Sequence, residues 1–305
     1  MRVFITGGMG FVGTVLTSEL TANGHQVTVL DRSVDSGRPV PEGVSRVGGD
    51  STKPGPWQKM LGEHDVVINL AGASIFQRWT PAVKKAIRES RMLTTRNVVQ
   101  ALEARRDQET HLFSTSAVGY YGFHGDEILT EDDPAGSDFL GQLAQEWENE
   151  AMKARESGAR VVTTRFGLVL GRHGGVLGQL VPLFRRFVGS QLGNGRQWFS
   201  WVHEADLARM FLFLLERQDL AGPINCTSPG PVRNSELTKA LAQAVGRPVI
   251  LPFAPGFMLR LVLGEFSEVI LQGQRVVPRR LSDAGFSFKF PALEGALRDA
   301  VGSTG

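Results

Sequence analysis

Three glycines, Gly7, Gly10 and Gly13, stand three residues apart. They lie between an apolar run (Val3, Phe4, Ile5) and a segment in which Val12, Val15, Leu16 and Leu20 share one helical face. That order of strand, glycine loop and helix suits phosphate chemistry. Gly7 permits a tight turn, Gly10 lets the backbone approach a pyrophosphate, and Gly13 lets the helix pack on the strand. The helix N-terminus adds unpaired N–H groups and a positive dipole end. The next apolar run, Val27 to Leu30, ends at Asp31, about 20 residues past the loop, where a carboxylate accepts hydrogen bonds from an adenosine ribose. The spacing predicts a dinucleotide site. Asp31 repels a ribose 2′-phosphate whereas Arg32 is a residue type that accommodates one, and the balance leans slightly to NAD over NADP.

The elements that must position these residues follow from the apolar pattern. Strands are expected at 2–6, 26–31, 45–48, 65–70, 110–114 and 160–166, and helices at 11–23, 56–62, 81–105 and 139–157. Such alternation predicts an α/β fold, a Rossmann-like, doubly wound parallel sheet with ligands at the carboxyl ends of its strands. After residue 166 the regularity breaks at Gly171 to Gly175 and at Gly193-Asn194-Gly195. Helices are expected at 204–217, 234–245, 255–263 and 291–300, and a further strand at Ile224-Asn225. The chain therefore divides into a dinucleotide-binding domain, residues 1–166 with 200–226 returning to the sheet. Residues 167–199 and 227–305 form a smaller substrate domain or lid.

Composition narrows the function. Lys plus Arg number 33 against 31 Asp plus Glu, a net charge of +2, too balanced for a nucleic-acid footprint. A single cysteine, Cys226, excludes an intrachain disulfide and a multi-cysteine metal site. No apolar run is long enough to span a bilayer, and no basic-then-apolar leader opens the chain. A soluble protein of a reducing compartment, the cytoplasm, is expected, with a small-molecule substrate, no metal, no nucleic-acid partner and no membrane. The six histidines have no metal-ligand spacing, and His124 and His173 read as loop residues. The oligomeric state is left open.

The motifs together resemble the extended short-chain dehydrogenases/reductases. The resemblance rests on Thr6 to Gly13, Asn69-Leu70-Ala71-Gly72-Ala73, Ser114 to Gly122, Arg165 to Gly171, and Gly193-Asn194-Gly195 running into Trp201 to Asp206. Within that family the chain is most similar to an atypical branch termed epimerase family proteins. That branch shares Arg78-Trp79, Ser90-Arg91, Asp138-Phe139, Trp147-Glu148 and Gly273 to Pro278. The resemblance implies that Gly7, Gly10, Phe11 and Val12 hold the pyrophosphate and that Asp31 and Arg32 meet the adenosine ribose. It implies that Asp50 sits near the adenine, that Leu70, Ala71 and Gly72 line the cofactor, and that Gly167, Leu168 and Val169 back the nicotinamide. Ser116 takes the family's catalytic hydroxyl position.

The same family uses a Tyr with a Lys four residues later as its acid–base pair. No Tyr-x-x-x-Lys occurs in this chain. With Trp147-Glu148 as anchor, the two positions fall near Leu140 and Ala144. Tyr120 and Tyr121, close to Ser116 in sequence, are the replacement candidates for the acid. Arg186, Arg196 and Arg275 are candidate grips for an anionic substrate, while His203 and Asp206 fit helix-start roles and Glu131 to Asp133 a solvated face. Two functions compete. One is an NAD(P)-dependent oxidoreductase or epimerase acting on a carbonyl or secondary alcohol, in the manner of a sugar nucleotide. The other is a non-catalytic NAD(P)-binding sensor or scaffold, in line with the cell-division label of some members of the branch.

Overall fold

The computed structural model describes residues 1–33, 40–106, 108–172 and 174–302; His173 lies outside the described residues. Five parallel strands open the chain: β1 (Arg2–Thr6), β2 (Gln26–Asp31), β3 (Val44–Gly48), β4 (Val66–Asn69) and β5 (His111–Ala117). Two more, Arg160–Phe166 and Gly222–Cys226, complete a seven-stranded sheet. Its order is Gly222–Cys226, Arg160–Phe166, β5, β4, β1, β2, β3. The chain runs outward from β1 to β3 and then returns to place β4 on the other side of β1. The carboxyl ends of β1 and β4 are thus the switch point at which an open parallel sheet binds ligands.

Helices α1 (Phe11–Ala22), α2 (Trp57–Leu61), α3 (Pro81–Leu102), α4 (Phe139–Met152), α5 (Gly175–Arg185) and α6 (Glu204–Glu216) follow in order. After them come α7 (Asn234–Val245), α8 (Gly256–Leu263), α9 (Phe266–Leu271), α10 (Arg279–Asp283) and α11 (Leu293–Val301). One face of the sheet buries Ile5, Val29 and Ile68 against Leu16 and Leu20 of α1 and Phe211 and Leu214 of α6. The other buries Phe4, Val67 and Leu112 against Val98 and Leu102 of α3 and Ala151 of α4. Strands sandwiched in this way explain the near-continuous apolar runs of the sequence. A third core joins Leu177 and Phe184 of α5, Leu241 of α7 and Leu297 of α11.

Three expectations shift. The helix expected to reach residue 105 ends at Leu102 and tightens into a short turn over Glu103–Arg105. Strand β5 runs on to Ala117, so Ser116 belongs to the strand and not to the loop after it. Helix α5 was not anticipated: it starts inside the glycine run and carries Pro182 in its interior, and both read as breaks. No helix among the described residues is long and apolar enough to cross a membrane. No described cluster of His, Cys, Asp and Glu could hold a metal ion.

Candidate cofactor and substrate site

The glycine loop is shaped by close contacts that a side chain would break. Gly7 adopts φ +71°, and a Cβ there would lie 2.9 Å from the Ala71 backbone nitrogen. A Cβ on Gly13 would lie 2.3 Å from the Gly7 carbonyl oxygen. The loops after β1 and β4 are therefore in backbone contact, and α1 begins tight against its own entry turn. Gly10 is the N-cap of α1, no side chain caps it, and its first turn holds no acidic residue. The first-turn N–H groups and the dipole end are suited to an anion.

At the far end of the groove, Asp31 closes β2. Its Oδ1 accepts from the Ser33 backbone N–H at 2.9 Å, and Arg46 Nε lies 3.6 Å from its Oδ2. Arg32 is exposed. Asp50 accepts from the Thr52 hydroxyl at 2.7 Å and from the Thr52 N–H at 3.0 Å. The hydroxyl bond above all holds the Asp50 carboxyl below the usual carboxylate range.

Between these ends and the later helices lies a cavity of about 400 Å³. Phe11, Val12, Leu70 and Gly72 form one side of it, and Gly167, Leu168 and Val169 another. Ala71 itself is turned to β1, its N–H reaching the Thr6 hydroxyl at 3.3 Å. Ser116 lines the same cavity. It is 1% exposed, and its Oγ has no hydrogen-bond partner among the described residues. A buried hydroxyl without a partner is costly unless something completes it. Leu140 and Ala144, on the helix initiated by Asp138, also line the cavity. Asp138 Oδ1 accepts from the Leu140 and Gly141 N–H groups at 2.9 and 3.1 Å, a strong N-cap that fixes where α4 starts. An apolar wall stands where the acid–base pair of the resembling family was placed.

The two tyrosines are elsewhere. Neither Tyr120 nor Tyr121 is among the residues lining the cavity. Tyr121 is 0% exposed; its hydroxyl donates to Asn225 Oδ1 at 2.7 Å and accepts from Arg165 Nη1 at 2.9 Å. Burial pushes its phenol well above the ordinary value. Arg165 is held by two 2.9 Å bonds to Glu148 and stacks 3.4 Å over the Tyr120 ring. The sequence offers Tyr120 or Tyr121 as a candidate acid, with packing of the rings as the alternative. The turn Val118–Tyr121 buries the Tyr121 ring, and the half-buried Tyr120 ring packs on Arg165.

Other candidates sort in the same way. His203 caps α6, its Nδ1 accepting from the Ala205 N–H at 3.2 Å, and Asp206 accepts from the Lys289 and Phe290 N–H groups at 2.7 and 2.8 Å. Both are structural. Glu131 is not solvated: it is 4% exposed and accepts from the Asn225 N–H at 3.0 Å, and burial raises its pKa. Arg186, Arg196 and Arg275 do not line the cavity; Arg275 stacks 4.6 Å over Trp198. Among the described residues the cation that does line it is Arg91, half-buried on α3 between Ile87 and Thr95. Its signal was in the sequence: an arginine four residues after Ile87 interrupts an otherwise apolar or small stripe.

Residues 3–226 match the family model described as the NAD dependent epimerase/dehydratase family, and residues 254–300 match a domain of unknown function. An Arabidopsis thaliana relative named epimerase family protein SDR39U1 homolog, chloroplastic, is 39% identical over 303 residues, covering 98% of this chain and 86% of its own. The structure of the human epimerase family protein SDR39U1 with NADPH has a TM-score of 0.86 and 32% identity, covering 99% of each chain. A nucleoside-diphosphate sugar epimerase from Corynebacterium glutamicum has a TM-score of 0.79 and 33% identity over 99% of this chain and 58% of that one. With a glycine cradle, an uncapped helix start and a cavity at the switch point in place, these likenesses agree: the chain belongs to the NAD dependent epimerase/dehydratase family.

Proposed function

We propose that this protein is an NADPH-dependent oxidoreductase or epimerase acting on a carbonyl or secondary alcohol, with Ser116 as its catalytic hydroxyl. The observation that carries the reading is the Ser116 Oγ. It is buried, without a partner among the described residues, and in the wall of the same cavity as Gly167, Leu168 and Val169.

Bound with its pyrophosphate at the start of α1, the nicotinamide supplies hydride chemistry. The protein does the rest. Gly7, Gly10, Phe11 and Val12 seat the phosphates, Leu70, Ala71 and Gly72 follow the cofactor, and Gly167 to Val169 back the ring. Asp50 sits toward the adenine. The Ser116 O–H donates to the substrate oxygen as negative charge grows there, in a cavity walled by Leu140, Ala144 and Trp147 that keeps water out. Residues 167–199 and 227–305 act as the smaller part that closes over the site.

The choice of NADPH over NADH comes from Arg46. At 3.6 Å it offsets the Asp31 charge that would repel a 2′-phosphate, while Arg32 offers an exposed guanidinium beside it. The human relative was crystallised with NADPH. Titration of the full chain with NADPH and NADH, then NADPH oxidation against a panel of carbonyl compounds, tests the reading. Roughly tenfold tighter NADPH binding together with turnover supports it. Tight binding with no turnover on any compound favours a cofactor-binding sensor or scaffold.

A further inference from the structure

Arg91 presents a problem of charge. It is half-buried on α3, next to the buried Ile87, Thr94 and Thr95, yet no carboxylate among the described residues pairs with it. Its Nη1 donates to the Ala73 and Ile87 carbonyl oxygens at 3.0 and 3.1 Å, and its guanidinium carbon lies 5.1 Å from the Trp147 ring centroid. Gly72 leaves it room: a Cβ there would stand 3.3 Å from that carbon. These contacts hold the guanidinium through Nη1, and Nε and Nη2 donate to no acceptor among the described residues. Burial pulls the Arg91 pKa down to about 10 and no neighbouring acid raises it, so it remains a cation at neutral pH. The contrast is Arg165, 2% exposed and matched by Glu148. A half-buried cation in an apolar wall without an anion is costly, and a ligand anion is the remedy.

The rest of the cavity describes that ligand. Ile75, Phe123, Leu143, Trp147 and Val269 give it an apolar body. Asp138, an acid in the wall, spends Oδ1 on the start of α4 and does not pair with Arg91. One guanidinium in an apolar wall balances the single charge of a carboxylate, not the near-double charge of a phosphate monoester. We propose that Arg91 anchors a substrate carboxylate, and that the substrate is an apolar or aromatic oxo acid or hydroxy acid. This rests on the reading of Ser116 and NADPH above. The competing source of an oxyanion is the pyrophosphate of the cofactor itself.

The test uses calorimetric titration of the full chain, saturated with NADP⁺, with 2-oxo-4-phenylbutanoate, 4-methyl-2-oxopentanoate and the ethyl ester of each. Arg91→Gln and Arg91→Lys are titrated alongside, with thermal melts to verify that both fold. The acids are expected to bind wild type about tenfold or more tighter than their esters. Arg91→Gln should abolish that preference, Arg91→Lys should keep part of it, and NADPH affinity should change by less than about twofold in both. Three results would overturn the proposal: no acid preference in wild type, no binding of either acid, or an Arg91→Gln variant that keeps the preference but loses NADPH. The last assigns Arg91 to the cofactor pyrophosphate. Failure of the wild type to bind NADPH at all would instead defeat the underlying cofactor reading, a separate outcome read in a separate titration.

Discussion

The Tyr121 hydroxyl donates to Asn225 Oδ1 at 2.7 Å and so ties the turn after β5 to the edge strand Gly222–Cys226. Arg165 Nη1 completes that hydroxyl from the strand between them. In the structure Tyr121 acts as a joint of the sheet. Tyr121→Phe removes the donor from Asn225 and the acceptor from Arg165 in a site closed to water. It should cost about 1–3 kcal/mol of stability, seen as a lower melting temperature, with NADPH affinity unchanged. A variant that melts like wild type but turns over poorly would return Tyr121 to the chemistry.

Gly13 is predicted to tolerate no side chain. Its missing Cβ would stand 2.3 Å from the Gly7 carbonyl oxygen, a backbone atom that cannot swing aside. Gly13→Ala should lower stability by about 1–3 kcal/mol, as overpacking does, and should weaken NADPH binding because the loop and the start of α1 shift together. Unaltered NADPH affinity in a folded variant would contradict this account of the cradle.

Arg32 is predicted to read the 2′-phosphate. Arg32→Ala should weaken NADPH binding by about tenfold, the scale of one charge-assisted contact, and leave NADH binding nearly unchanged. Equal losses for both cofactors would mean that Arg32 acts on the adenine end in general and does not select between them.

Stability should fall in mild acid. Burial lowers the pKa of His64 and of His203 below the ordinary 6.5. Both are held neutral in the fold, His203 because its Nδ1 must accept the Ala205 N–H. The unfolded chain therefore binds more protons below about pH 6.5, and stability present above that value is lost as pH falls toward the folded pKa values. Melting temperatures should drop between about pH 7 and pH 5. His203→Asn, which keeps a capping oxygen and cannot titrate, should reduce the slope. A slope identical to wild type would remove His203 from the effect.

Much of the fold was legible because the sheet is sandwiched between helices. Strands such as Val3–Ile5 and Val66–Ile68 are fully buried and read as plain apolar runs, and Asp138 and Gly7 to Gly13 announce helix starts. Helix α5 was hidden by Gly175 and Pro182, whose local preferences are overridden by the packing of Leu177 and Phe184. In the site, the position of Ser116 and the apolar pair Leu140 and Ala144 could be placed from the family resemblance. The direction of Tyr120 and Tyr121 could not, since two adjacent residues in a tight turn are turned by Arg165 and Asn225, 44 and 104 positions from Tyr121. Arg91 was missed for a related reason: whether a guanidinium on a helix stripe is paired depends on its spatial neighbours.

Ser116 carries the central claim, and the direct measurement is the steady-state rate of NADPH oxidation by wild type and Ser116→Ala with the best carbonyl substrate of the panel. Removal of a buried donor aimed at a developing oxyanion should lower kcat by about 10²–10³, with NADPH affinity and melting temperature held. A Ser116→Ala enzyme that keeps the wild-type kcat would contradict the account.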